Sequence, residues 1–307
     1  MKILLTGHSG FIGSHLLPRL FDRKHEMFVL NADLREHEKV RAEVLETQPD
    51  VIVHLAARTE VEKSFYEQVT FSEINYVGTV NLIESARELK HLQNFCFAST
   101  MEVYGWQPIS DYIKEGGVPA FFTPFDEDTL PNPNAPYAVA KYACEKYLEY
   151  AHRSYKLPFT ALRQTNTYGR TDNDFFVTEQ IITQMLRNPE SINLGYAKPY
   201  RNFLYIEDLL DAWVAVIENP AKVAGKIYCL GPDRPVNIEE FAWKIGRMVD
   251  WQGKINWGTK PARPGEIYYL NSTNKRITKD LGWEPKVSLE DGLKLTIDHW
   301  RKVVNGN

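Results

Sequence analysis

Thr6-Gly7-His8-Ser9-Gly10-Phe11-Ile12-Gly13 is the stretch that decides the fold, with glycines at offsets 0, 3 and 6. The apolar run Ile3 to Leu5 precedes it. Ile12 to Phe21 follows, with Ile12, Leu16, Leu17 and Leu20 at helical spacing. A short buried strand, a glycine turn and a helix in that order make a dinucleotide-binding context. Gly7 permits the tight turn, Gly10 lets backbone approach a pyrophosphate, and Gly13 allows close helix–strand packing. The phosphates would sit at the helix N-terminus, where free N–H groups and the dipole favour negative charge. Ser9, Phe11 and Ile12 complete the expected cofactor contact.

Outward from the loop, strands and helices alternate. Met27 to Leu30, Val51 to Leu55, Asn94 to Ala98 and Phe159 to Arg163 read as strands. Lys39 to Glu46, Asn75 to Leu89 and Tyr137 to Tyr155 read as helices. This predicts βαβ units, a doubly wound parallel sheet and an α/β Rossmann-like fold. Residues 1–165 form the expected cofactor domain, and 166–307 a smaller α+β substrate domain. The strand and helix expected over 203–220 return to the main sheet. The stretch 105–136 is rich in Pro, Gly, Asn and Asp, has no period, and reads as a long functional loop.

The second strand runs into Asn31-Ala32-Asp33-Leu34-Arg35. Asn31 is placed to bond a ribose hydroxyl, and Asp33 and Leu34 to flank the adenine. No arginine stands directly at the strand end to take a 2′-phosphate, which favours NAD over NADP.

Composition narrows the function. The chain has 307 residues, a net charge of −4 and 43% hydrophobic residues. That balance argues against broad binding to nucleic acid or to anionic membrane. No apolar run approaches a membrane span of roughly 20 residues. The first residues read as a strand and not as a signal peptide. Cys96, Cys144 and Cys229 are too few and too scattered for a disulfide framework, so a reducing cytoplasm is expected. No metal site is expected.

Tyr137-Ala138-Val139-Ala140-Lys141 carries the chemistry. Residues four apart share a helix face. An ammonium beside a nicotinamide cation stabilises phenolate. Moving a tyrosine from about 10 to about 7 needs roughly 4 kcal/mol. Tyr137 then takes a proton from a sugar hydroxyl as hydride leaves, and Lys141 also holds the nicotinamide ribose. Thr100 follows the strand Asn94 to Ala98, at the end of the sheet where such folds bind ligands. Glu102 is a second acid or base.

These motifs, with His54-Leu55-Ala56-Ala57, Asn75 to Thr79, Ser99 to Gly105, Leu162 to Gly169, Arg201 to Asp208 and Leu281 to Pro285, run nearly the length of the chain. The sequence resembles the extended short-chain dehydrogenase/reductase family, in its NAD-dependent epimerase/dehydratase group acting on nucleotide sugars. The resemblance implies a catalytic set of Thr100, Tyr137 and Lys141, and a cofactor wall at Ala56 and Ala57. It implies substrate contacts at Ser64, Met101 and Asn166, with Arg201 and Arg263 on the nucleotide diphosphate. Asn75 is expected to bond backbone beside its helix, and Tyr205 and Trp283 to pack.

Members share oxidation at sugar C4 and then diverge. Dehydratases of the family carry Ser-Thr-Asp-Glu-Val-Tyr-Gly, and here Met101 stands in place of the Asp. A thioether transfers no proton, and it would offer the sugar an apolar surface. The retained Glu102 favours a 4,6-dehydratase. A 4-epimerase, a decarboxylase, a 4-oxidase and a 4-ketoreductase remain as alternatives, and a dinucleotide sensor or scaffold as the non-enzymatic one. A homodimer is expected through a four-helix bundle of Asn75–Leu89 and Tyr137–Tyr155, with Tyr142, Tyr147, Leu148 and Ala151 at its interface.

Overall fold

The computed structural model describes residues 1–121, 123–260 and 263–306. Six parallel strands form one sheet, in the order Lys226–Cys229, Phe159–Gln164, Asn94–Thr100, Val51–His54, Lys2–Thr6, Glu26–Val29. The winding reverses between Lys2–Thr6 and Val51–His54, and a crevice opens there beyond the carboxyl ends of the strands. Helices cover both faces, so the inner strands are buried throughout and read as unbroken apolar runs. On one face Leu16, Leu20, Leu209, Leu210 and Trp213 cluster with Ile3, Leu5, Val51 and Val53. On the other, Val40, Val44, Leu82, Ile83 and Leu148 cluster with Leu4, Ile52, Phe95 and Phe97. This is the Rossmann-like architecture that the alternation predicts. Cys96, Cys144 and Cys229 are all buried and unbridged. No helix among the described residues is long and apolar enough to cross a membrane.

The returning segment differs from expectation. Phe203–Tyr205 does not join the main sheet; it pairs with Asn166–Tyr168 in a two-stranded sheet of its own. Only the helix Ile206–Ile217 returns, through Leu209, Leu210 and Trp213. The strand that completes the sheet is Lys226–Cys229, paired with Phe159–Gln164. It is only four residues long and half of it is buried, so its sequence carries little signal.

Three further expectations change. The stretch 105–136 is not structureless: Pro108–Lys114 is a helix. Tyr104 Oη donates to Asp126 O at 2.6 Å, and Phe125 N donates to Asn271 O at 2.8 Å, which pins the stretch to the remainder of the chain. The helix expected over 75–89 begins earlier, at Gln68, passes through a wide π-helical turn at Glu73–Val77 and ends with Gly78–Ala86. At that turn Asn75 accepts from Arg58 N and donates to Arg58 O, the backbone role expected of it. Leu148 and Ala151 do not face outward. Both are fully buried against the sheet, and the exposed apolar residues of their helix are Val139, Tyr150 and Tyr155.

Beyond the main sheet, short strands and the helices Val177–Arg187, Ile238–Met248 and Leu289–Val304 enclose a separate apolar cluster. Phe203 stacks on Phe241 there at 3.9 Å between ring centroids.

Candidate active site

A cavity of about 550 Å³ occupies the crevice. Gly7, Ser9, Gly10, Phe11, Ile12 and Gly13 line one end. A Cβ on Gly7 would stand 2.6 Å from Ala56 N, and one on Gly13 2.1 Å from Gly7 O. Gly7 also has φ +71°, a conformation that favours glycine. Gly10 is different: its nearest neighbour would be Gly7 O at 3.4 Å, so the open side faces the cavity and not the protein. Gly10 caps the helix Phe11–Asp22 without any side-chain bond, which leaves that N-terminus for an anion. These features fit a dinucleotide pyrophosphate.

The wall beside the glycine loop holds Leu55, Ala56 and Ala57. Behind it His54 bonds Thr6 Oγ1 through Nδ1 at 2.7 Å and Thr79 Oγ1 through Nε2 at 2.9 Å. Burial pushes its pKa down to about 3, so the ring is neutral and adds no charge to the wall. Asn31, Asp33 and Leu34 do not line this cavity. Asn31 Nδ2 donates to Val29 O. Asp33 pairs with Arg35, which holds its carboxyl down at about 2. Leu34 is buried in the sheet-face cluster.

Thr100, Glu102, Tyr137 and Lys141 all line the cavity, as does Asn166. Thr100 ends its strand, and its Oγ1 accepts from Glu102 N at 3.2 Å, which starts a tight helical turn and turns Glu102 inward. Tyr137 lies in the first turn of Pro136–Tyr155, next to Thr100. Its phenol is shifted up, chiefly by burial, then by the Glu102 charge. Lys141 departs from expectation. Its Nζ donates to Ala98 O at 2.8 Å and lies 4.7 Å from the Phe97 ring centroid. Burial lowers it to about 8. The ammonium is therefore engaged by a carbonyl and a ring face, and not by the phenol.

A buried network fixes this helix to the strand ends. Glu145, one turn beyond Lys141, accepts from Ser99 Oγ at 2.5 Å and from Arg163 Nη2 at 2.8 Å. Arg163 Nη1 donates in turn to Tyr104 Oη at 3.0 Å.

The expected substrate residues sit outside the cavity lining, apart from Asn166. Met101 is 1% exposed and packs with Val103, Tyr104 and Phe125, while its sulfur accepts from Thr165 Oγ1 at 2.9 Å. It does not present the open apolar surface expected of it. Ser64 is buried and donates to Val61 O. Arg201 and Arg263 share Glu266: Arg201 Nη2 lies 3.3 Å from Oε1, and Arg263 holds both carboxylate oxygens at 2.8–2.9 Å. Arg201 is only 7% exposed, while Glu266 and Arg263 are partly buried beside it. Both arginines oppose the upward shift that burial gives the Glu102 carboxyl. Trp283 packs as expected, its Nε1 donating to Asp208 O at 3.0 Å.

Gln164, Thr167, Arg170 and Glu179 also line the cavity, and sequence reasoning did not single them out. Gln164 ends the strand Phe159–Gln164 and Thr167 lies within Asn166–Tyr168, both inside the motif Leu162 to Gly169, whereas Arg170 follows that motif and Glu179 lies early in the helix Val177–Arg187.

A family model described as NAD dependent epimerase/dehydratase family matches residues 3–231. The chain belongs to that family. Its fold is shared with a solved UDP-glucose 4-epimerase of Thermotoga maritima, with UDP-glucose, at TM-score 0.86 and 27% identity over 99% of this chain and 100% of that one. A UDP-glucose 4-epimerase of Thermus thermophilus, in complex with NAD, aligns at TM-score 0.85 and 27% identity, over 98% and 99% of the two chains. Among curated sequences, a human dTDP-D-glucose 4,6-dehydratase is 27% identical over 98% of this chain and 90% of its own length. A putative UDP-glucose 4-epimerase of Methanocaldococcus jannaschii is 28% identical over 98% of both. The protein is an NAD-dependent enzyme of the nucleotide-sugar epimerase/dehydratase kind, and proteins named for each of the two reactions are among those it resembles.

Proposed function

We propose that this chain is a nucleotide-sugar 4,6-dehydratase working through a 4-keto sugar. The carrying observation is Glu102, a carboxyl at the cavity wall beside Thr100 and Tyr137. Burial raises its pKa while Arg201 and Arg263 hold it down, which suits a group that must both accept and release a proton. NAD, when bound, supplies the hydride acceptor for C4 and the hydride that is later returned. Tyr137 takes the C4 hydroxyl proton, and Thr100 aligns that hydroxyl. Lys141 holds the nicotinamide ribose. Glu102 takes the C5 proton and delivers it to the C6 hydroxyl, which leaves as water to give a 4-keto-5,6-ene. One carboxyl serves both transfers in succession, since Met101 cannot share them. The returned hydride then adds at C6 while C5 takes back a proton, which balances the one that Tyr137 removed from the C4 hydroxyl. Asn166 contacts the substrate, and Arg201 and Arg263 take its diphosphate as planar donors. Ser64 and Met101 support that pocket through packing. Asn31 and Asp33 would flank the adenosine where it runs beyond the cavity, while Leu34 stays in the sheet-face cluster.

A 4-epimerase is the second reading. It is favoured by the loss of the Asp–Glu pair at Met101 and by the named epimerases among the relatives. A homodimer through the helices around residues 68–86 and 136–155 belongs to the same proposal, with Val69, Val77, Val139 and Tyr150 as its exposed apolar contacts.

The test is a screen of UDP, dTDP, GDP and CDP sugars with product masses recorded. A product lighter by one water supports the dehydratase. An isomer of unchanged mass replaces it with the epimerase, and loss of carbon dioxide from a uronic acid with the decarboxylase. In Glu102→Gln, water loss should fall by about 100-fold while C4 oxidation continues. Full water loss in that variant would remove Glu102 from the mechanism.

A further inference from the structure

Arg170 has no part in the mechanism above, yet it stands in the same cavity. Its guanidinium carbon lies 4.2 Å from the Phe11 ring centroid and 3.7 Å from that of Phe176. Phe11 opens the helix whose N-terminus faces the cavity. Phe176 precedes the helix Val177–Arg187, which packs in the separate apolar cluster. One planar cation is thus held between two rings from opposite sides of the crevice.

The remainder of its surroundings fixes the side chain without saturating it. Nη1 donates to Thr167 O at 2.6 Å. The Arg170 and Gly169 backbone N–H groups both donate to Glu179 Oε1, at 3.0 and 2.9 Å, so the turn itself is anchored. Nε is buried and has no partner. Burial lowers the guanidinium to about 10, against the pull of Glu179 and Asp172, so it is charged at neutral pH. Among the described lining residues the only other cation is Lys141, bonded to Ala98 O beside the catalytic tyrosine. At the glycine-loop end the cavity therefore has one full positive charge, next to the helix N-terminus that suits phosphate. A guanidinium with a donor to spare matches phosphate oxygens.

The geometry points to Arg170 as a clamp on the cofactor: it binds the dinucleotide pyrophosphate and, stacked between Phe11 and Phe176, must swing aside before the cofactor leaves. The inference rests on the cofactor site alone and holds whichever sugar reaction the enzyme performs.

The experiment uses the full chain purified with its NAD, and follows exchange of bound NAD for labelled NAD. Arg170→Gln should exchange about tenfold faster or more, the scale of a lost charge-assisted hydrogen bond. Phe176→Leu keeps the charge and removes the ring, and should give a smaller acceleration. A second measurement separates phosphate contact from packing, with ADP and adenosine titrated into protein stripped of cofactor. Arg170→Gln should weaken ADP about tenfold and leave adenosine unchanged. Exchange as slow as in the parent overturns the proposal. Equal weakening of ADP and adenosine also overturns it and leaves Arg170 a packing residue. If Arg170→Gln does not fold, Arg170→Lys replaces it, because an ammonium lacks the planar fork and the same stacking. Faster exchange supports the clamp, and parent-like exchange overturns it. None of these readings depends on sugar turnover, so a failed dehydratase assignment would leave them intact.

Discussion

Around Gly7 and Gly13 the cavity is shaped by backbone pressed against backbone, with 2.1–2.6 Å left where a Cβ would stand. Around Glu102 it is shaped by charge: two arginines, Glu266 and a carboxyl whose proton is contested between burial and those arginines. The first region tolerates almost no substitution because hard-sphere contact cannot relax. The second is held by side-chain charge, and Met101 beside it packs with Val103, Tyr104 and Phe125, where a volume-conserving change is absorbed more easily. That difference separates a cofactor end fixed by backbone contact from a sugar end fixed by side chains in this molecule.

The contrast can be broken at either end. Gly13→Val should cost about 3 kcal/mol, read as a lower denaturant midpoint, because its Cβ meets the Gly7 carbonyl oxygen, which the turn holds through a bond from Gly10 N. A midpoint within error of the parent would show that the loop can move. Lys141→Met should act in the opposite sense. The lysine is charged in both folded and unfolded chains below about pH 8, and the folded state bears the burial cost. Between about 8 and the unfolded value near 10.4 the folded lysine loses its proton first, so that cost fades. The variant should therefore gain up to about 3 kcal/mol at pH 7, and the gain should shrink as pH rises through that window. A gain that does not vary with pH would mean the ammonium is not the destabilising group.

Tyr137→Phe sharpens the comparison, since it touches chemistry alone. Turnover should drop at least about 100-fold with NAD retained and stability little changed. Unchanged turnover would sink the mechanism. Met101→Leu should be the mildest: under about 1.5 kcal/mol in stability, for a swap that conserves volume and loses only the weak bond from Thr165. A large loss of turnover with stability intact would return Met101 to the sugar.

The same contrast governs what the sequence makes legible. Steric demands leave glycines at fixed offsets, and burial on both faces leaves apolar runs, so the loop and the strands through Phe159–Gln164 can be read directly. The closing strand Lys226–Cys229 is short and follows a glycine, and nothing in it distinguishes the main sheet from a hairpin. The helix Pro108–Lys114 is one of a few turns inside an aperiodic stretch. Thr100, Glu102, Tyr137 and Lys141 are visible because they sit at strand ends and on one helix face. Arg170 is not, because its meaning comes from Phe11 and Phe176, and Phe11 lies far away in the chain.

The three buried cysteines have a practical consequence. Cys96 lies in the centre of the sheet, Cys144 on the buried face of the helix Pro136–Tyr155, and Cys229 on the closing strand. Burial raises all three thiols, Cys144 to about 12, so none presents a thiolate to reagent while the fold is shut. Each is then a native clock for the opening of its own region. The order in which they become alkylated, with and without NAD, would time which part of the molecule breathes first.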